Sequence, residues 1–175
     1  SKTKAVIPVH LYGQAANLTS IQKFCTGNGL HLIEDVSQAH GASWESKRLG
    51  SFGIMGCFSC YPTKNLGALG DAGLITTNDS QLASKLKALR QYGWENRISM
   101  FAGRNSRLDE LQAAILRVKL SLLDEDNERR RKIAREYYKA LKNKNFLLPK
   151  VRQEAEHVFH LFVIKHSDRG QLLKY

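Results

Sequence analysis

The chain has 175 residues, 42% hydrophobic and 25% charged, a globular composition long enough for one domain and part of a second. Three cysteines, an odd number, argue against a disulfide scaffold and fit the reducing cytoplasm, and no apolar run approaches the roughly 18 residues that span a bilayer. The net charge of +11 is uneven: residues 1–80 carry six Lys/Arg against five Asp/Glu, and residues 81–175 carry 21 against 11.

AVIPVHLYG reads as a short apolar strand ending at Gly13. NLTSIQKFCTGNG has helical spacing, with Leu18, Ile21, Phe24 and Cys25 expected on one face and glycines at the exit. LHLIEDV is a second strand, and strand, helix, strand at this spacing predicts a βαβ unit with a parallel pair. GIMGCFSCY and GLITT predict two more strands, on either side of a loop that holds Lys64. DSQLASKLKALRQYG predicts a helix with Asp79 and Ser80 as caps, Leu82, Leu86 and Leu89 on one face, and a stop at Gly93. WENRISMFAGRNS looks irregular.

A long helical pattern then runs from Ser106 to Asn143, with apolar positions at Leu108, Leu111, Ile115, Val118 and Leu122. Ile133, Tyr137 and Leu141 continue it on a separate or bent segment. Within it, ERRRKIAREYYKALKNKN intersperses acids and apolar residues with its cations, as a solvated helix face does, although a basic half also suits an anionic partner. NFLLPK breaks the helix, and HVFHLFVIKH predicts a last strand. A domain boundary is expected in the charged DEDNERRR region. Ser1 in place of an initiator methionine, and a final SDRGQLLKY that has only begun a helix, predict a piece of a longer protein.

In open parallel sheets, ligands bind beyond the carboxyl ends of the strands. Asp35 stands at such an end, followed by Ser37, Gln38 and His40, and Ser59 and Lys64 follow the next strong strand. Taken alone, Asp35 reads equally well as a turn or cap residue; a carboxylate and an amine from two strand ends form a constellation. GALGDAG spaces its glycines by three but precedes a strand and lacks GK[ST], so it is neither standard phosphate loop. Its glycines are expected to adopt positive φ and let the backbone pass close to something flat or bulky. Cys57 and Cys60 form a C-x-x-C without a second pair or a His pair to complete a zinc site, and read as two small buried hydrophobes. His10 and His40, both at strand ends, are open between ligand contact and a hydrogen-bonded structural role. Trp44 and Trp94 read as packing or surface residues.

CFSCYPTKNLGALGDAG, preceded by LIEDVSQAHGA and followed by GRNSRLDELQAAILRVKL, closely resembles the DegT/DnrJ/EryC1/StrS family of PLP-dependent sugar-nucleotide aminotransferases. The likeness runs from IPVHLYGQ to VFHLFVIK. It implies an α/β chain with the type I, aspartate aminotransferase-like fold. Residues 1–125 would form the C-terminal part of the large cofactor-binding domain, and residues 126–175 the start of a smaller α+β domain. Family members are about twice this length, so an N-terminal portion would be missing.

The resemblance also implies roles. Lys64 would carry pyridoxal 5'-phosphate (PLP) as a covalent aldimine, Asp35 would pair with the protonated pyridine nitrogen, and Gln38 would lie by the ring and its 3-hydroxyl. Ser59 would hold the cofactor phosphate, and Asn105 would reach the phosphate of the neighbouring subunit in a homodimer with shared sites. The chemistry agrees: a buried carboxylate keeps the ring nitrogen protonated, and a restricted site beside a cationic ring favours the neutral amine that attacks an aldehyde. The implied reaction moves an amino group from glutamate to a nucleotide-linked keto-sugar, most like enzymes that aminate C3 of dTDP-3-keto-6-deoxyhexoses. Lysine at position 64, where the dehydratase branch has histidine, favours transamination. A C4-keto sugar, a cyclitol or an inactive fragment is the alternative within the family, and a basic nucleic-acid-binding module the alternative outside it. No metal or membrane partner is implied. Cys60 replaces the usual aromatic of FSFYPTKN, and Ser37 the usual alanine or cysteine.

Overall fold

The computed structural model describes residues 2–142 and 145–174. Strand β1 (Ala5–Val6), helix α1 (Leu18–Gly27) and strand β2 (His31–Asp35) form the expected βαβ unit, with Ala5 and Val6 parallel to His31 and Leu32. Pro8 has no N–H to donate, so β1 stops early; Val9 makes one further bridge to Asp35, and Leu11–Gly13 is a 3-10 turn where strand was expected. Asn17 caps α1 by accepting the Ser20 N–H at 3.1 Å. Leu18 and Cys25 are buried, but Phe24 is 56% exposed, because six residues place it about 120° round the helix from Leu18.

A two-stranded hairpin follows, β3 (Ser43–Trp44) and β4 (Lys47–Arg48), and the late strand β9 (Ala155–Glu156) pairs with β3 to make a three-stranded antiparallel sheet. Strand β5 (Met55–Ser59) lies parallel to β2, and β6 (Gly73–Thr76) antiparallel to β5. The main sheet is therefore mixed, in the order β1-β2-β5-β6, and the Lys64 loop joins its antiparallel pair, β5 and β6. Helix α2 (Ser80–Leu89) is capped by Asp79, whose Oδ1 accepts the Gln81 and Leu82 N–H groups. It ends before Gly93, which has φ +73°.

The stretch expected to be irregular holds a small hairpin, β7 (Trp94–Glu95) and β8 (Ile98–Ser99), turning through Asn96 and Arg97 at φ 50° and 66°. Asn suits the first left-handed position; Arg at the second, where glycine is usual, hides the turn from a sequence reading. The long helical pattern is two helices, α3 (Glu110–Leu120) and α4 (Leu123–Leu141), broken at Ser121–Leu122 and not within the charged run, which lies inside α4. The expected end at Asn143 lies outside the described residues. The inward face is also not the one expected: Leu116, Leu123, Asn127 and Ala134 are buried, whereas Leu111, Val118 and Leu122 are 48–69% exposed. HVFHLFVIKH is not a strand. Only Lys165 bridges Leu147, and Phe159 has φ 44°, which pleated pairing does not permit. A short helix α5 (Arg169–Leu172) follows.

Two apolar clusters hold these elements. One packs Leu18, Cys25, Leu32, Val36, Trp44, Leu49 and Val158 between α1, the sheet and the late segment. The other packs Cys60, Leu66, Ala68, Leu116 and Leu123, so that α3 and α4 support the lysine loop. Among the described residues, no helix is long and apolar enough to cross a membrane.

Candidate functional site

Because β2 and β5 are parallel and paired at Asp35–Cys57, Asp35 and Ser59 leave the sheet at the same rim. The chain then turns, with the Lys64 N–H donating to the Tyr61 carbonyl at 2.9 Å. Backbone bonds from Cys60 to Ala72 and from Ala68 to Cys60, both 2.8 Å, draw the loop back on itself. From α3, Lys119 Nζ donates to the Gly67 carbonyl (2.6 Å) and Gln112 Oε1 accepts the Leu69 N–H (2.9 Å). The glycines therefore do a different task from the one expected. None of Gly67, Gly70 and Gly73 has positive φ; a Cβ on Gly67 would collide with the Pro62 carbonyl oxygen, so glycine lets the loop fold onto its own backbone.

Lys64 and Ser59 line one cavity of about 1020 Å³, together with Ser37, Cys57, Tyr61 and Asp71. Its outer wall carries Lys87, Arg90 and Arg107. Asp35 is half-buried and does not line the cavity, although its neighbour Ser37 and its strand partner Cys57 do. The Ser37 N–H donates to Asp35 Oδ1 at 3.0 Å, and among the described residues no hydrogen bond reaches Oδ2. Its negative charge adds to burial in pushing up the Cys57 thiol, a wall residue. Burial alone pushes up Cys60, which is wholly enclosed. Gln38 is steadied from outside the cavity wall, its Oε1 accepting the Tyr12 N–H at 2.8 Å. Asn105 is exposed and accepts from Arg107 Nε at 3.3 Å; its neighbours Ser106 and Arg107 line the cavity, but Asn105 does not. Lys64 and Ser59 thus share one cavity at the rim where the Asp35 strand ends, whereas Asp35, Gln38 and Asn105 do not line it.

Sequence reasoning left one layer of this site unseen. Beneath the lysine loop, Asn65 Nδ2 donates to Asn127 Oδ1 (2.8 Å) and to the Val158 carbonyl (3.0 Å), and His160 Nδ1 lies 3.3 Å from Asn65 Oδ1. Nothing local in the sequence pairs positions so far apart. His40 belongs to this layer. It is 2% exposed and packs on Phe58 at 5.6 Å, and among the described residues neither ring nitrogen has a hydrogen-bond partner. Burial pushes its pKa down to about 4; the nearby Ser59 backbone favours the protonated ring without making a hydrogen bond, while the charges of Lys64 and of His160 oppose it. Burial, then Lys64 and Arg130, also lower His160. Burial and the Lys64 charge thus push both imidazoles toward the neutral form.

His10 differs. Its Nδ1 accepts the Ala16 N–H (3.1 Å), so Nε2 carries the proton toward Glu34 Oε2 at 3.3 Å. Glu34 also accepts from Gly50, Phe52 and Gly53 N–H at 2.6–3.1 Å. Burial alone would raise its pKa, but the His10 bond and the three backbone donors outweigh it, and the net shift is downward. His10 is a structural histidine that fixes the loop leading into β5. Trp44, 3% exposed and donating to Thr19 Oγ1 at 3.0 Å, is core, and Trp94 is at the surface.

The sequence profile of the DegT/DnrJ/EryC1/StrS aminotransferase family matches residues 1–174. A dTDP-3-amino-3,6-dideoxy-alpha-D-galactopyranose transaminase of Aneurinibacillus thermoaerophilus is 53% identical over 170 residues, which cover 97% of this chain and 47% of that protein. The crystal structure of S. venezuelae DesV in complex with a ketimine intermediate superposes with a TM-score of 0.94 at 41% identity, over 98% of this chain and 47% of that one. NtdA from Bacillus subtilis, solved with bound cofactor PMP, gives 0.86 at 32% identity, over 98% of this chain and 40% of that one. The chain spans less than half the length of each.

Proposed function

The chain belongs to the DegT/DnrJ/EryC1/StrS aminotransferase family, and we propose that it forms part of a PLP-dependent enzyme that aminates a nucleotide-linked keto-sugar. The observation that carries this reading is the meeting of Lys64 and Ser59 on one cavity, beyond a strand end that also presents Asp35. An amine, a hydroxyl and a carboxylate with a free oxygen match an aldehyde, a phosphate and a protonated ring nitrogen, so the donor set fits the cofactor. The cavity, at about 1020 Å³, is large enough for a cofactor and a sugar together.

Bound PLP would supply an electron sink that weakens the bond to be broken. The chain's own groups would do the rest. Lys64 Nζ would hold the cofactor and, when free, carry a proton between the donor carbon and the cofactor's C4′, tethered within reach of both. Asp35, its Oδ1 fixed by the Ser37 N–H, would keep the ring nitrogen charged. Ser59 Oγ would donate to the phosphate, and Gln38, fixed through Oε1, would turn its amide N–H toward the ring hydroxyl. Asn105, off the cavity wall, would serve the phosphate of a second subunit in a homodimer.

A dTDP-linked 3-keto-6-deoxyhexose as acceptor is supported by the likeness to the transaminase that is 53% identical, and glutamate as donor by the family resemblance alone. On the same reading, residues 1–125 belong to the large domain, residues 126–175 begin the small one, and the enzyme works in the cytoplasm. The test is full-length protein incubated with PLP, glutamate and a panel of nucleotide-linked keto-sugars, with products read by mass spectrometry. Amination of a 3-keto hexose is expected; a panel left wholly unaminated overturns the reading.

A further inference from the structure

Next to Lys64 lies a buried amide pair for which the proposed chemistry has no direct use. Asn127, 1% exposed on α4, accepts from Asn65 Nδ2 at 2.8 Å and donates from its own Nδ2 to the His40 carbonyl at 2.9 Å. Asn65 is 9% exposed and completes its bonding with the Val158 carbonyl and His160. Gly41, at φ +80°, gives the room: a Cβ there would stand 2.6 Å from Asn127 Nδ2. One side chain of α4 thus ties down both residue 65, which adjoins the lysine, and residue 40, whose ring lies within electrostatic reach of the amine.

Burying two primary amides costs free energy unless every donor finds an acceptor, and apolar side chains would fill the same space without that cost. What the amides add is direction. Each hydrogen bond admits one arrangement of the backbone, whereas apolar packing tolerates several. The direction matters because a misplacement of about 1 Å in a reacting group costs on the order of 100-fold in rate.

We propose that Asn127 is a positioning residue for Lys64, acting through Asn65 and the His40 carbonyl to fix how the amine enters the cavity. This rests on the reading of Lys64 as the cofactor-bearing lysine. The link also couples the late segment to the lysine loop, since Val158 and His160 bind the same Asn65 amide.

The test uses full-length protein loaded with PLP. Borohydride reduction is followed over time by mass spectrometry for pyridoxyl on Lys64. In parallel, the half-reaction with glutamate is followed by cofactor absorbance for its saturating rate and half-saturating concentration. Asn127→Ala is expected to slow Lys64 labelling and lower the saturating rate by about 10- to 100-fold, with the half-saturating concentration changed less than about threefold. Asn127→Asp keeps an acceptor for Asn65 and should recover part of that loss. Should the alanine variant not fold, Asn127→Ser or Asn65→Ser, which leave space for a water, cut the same link. Wild-type labelling and rate in a folded variant, with or without lower thermal stability, overturn the proposal and leave the reading of Lys64 standing. Wild-type protein that takes no pyridoxyl on Lys64 removes that reading, and the proposal with it.

Discussion

His10 and His40 both follow strands of the main sheet and both are buried, yet their surroundings are opposite. His10 uses both ring nitrogens, one on the Ala16 N–H and one on Glu34, and Glu34 in turn gathers three backbone donors. His40 uses neither, and it sits beside a lysine. A region in which every buried polar group is paired is a frame: it fixes the loop that feeds β5. A region that leaves an imidazole unpaired stores a cost of folding, and such costs gather where chemistry is done.

Substitutions can break that comparison. The largest effect is expected at Lys64: Lys64→Ala should lower amino transfer by at least about 10²–10⁴-fold while leaving the unfolding midpoint close to wild type. Retained turnover would place the site elsewhere. Glu34→Ala should do the reverse. It strips His10 and three N–H groups of their acceptor and should cost about 3–5 kcal/mol in denaturant unfolding, with Lys64 of the folded fraction labelled as in wild type. A loss below about 1 kcal/mol would mean that the frame is not held there.

The pH dependence sharpens the contrast. His40 and His157 are both buried and pushed down to about 4, from 6.5 in the unfolded chain. Between those values the unfolded state binds more protons, so stability falls as pH falls, by about 1.4 kcal/mol per pH unit for each histidine. His40→Phe should remove its own slope from an unfolding series over that window. Glu34 acts in the other range. Its lowered pKa contributes stability above 4.5 that is lost only as pH falls through its folded value. The smallest effect is expected at the surface. Arg48 and Asp124 pair at 2.8 Å with side chains 53% and 72% exposed, so Asp124→Asn should cost less than about 1 kcal/mol and less still in high salt.

Much of the frame was legible in the sequence because it is local. Helical spacing, the Asn17 and Asp79 caps and the apolar runs of β2 and β5 each act within a few residues. So was the shared rim of β2 and β5, since parallel strands bring their carboxyl ends to one side of the sheet. What failed was non-local or concealed. Leu111, Val118 and Leu122 have the spacing of a buried face, but α3 turns Leu116 inward to meet Cys60 and Leu66. HVFHLFVIKH has the composition of a strand and no continuous partner to pair with. Asn127 drew no notice because its value lies in Asn65, 62 residues away.

The central claim is that the amine at the end of β5 carries the cofactor. Full-length protein should be loaded with PLP, reduced with borohydride, digested and mapped by mass spectrometry. The account predicts pyridoxyl on Lys64 and its absence after Lys64→Ala. Stoichiometric pyridoxyl on Lys87 or Lys119 instead, or on no lysine at all, would contradict it.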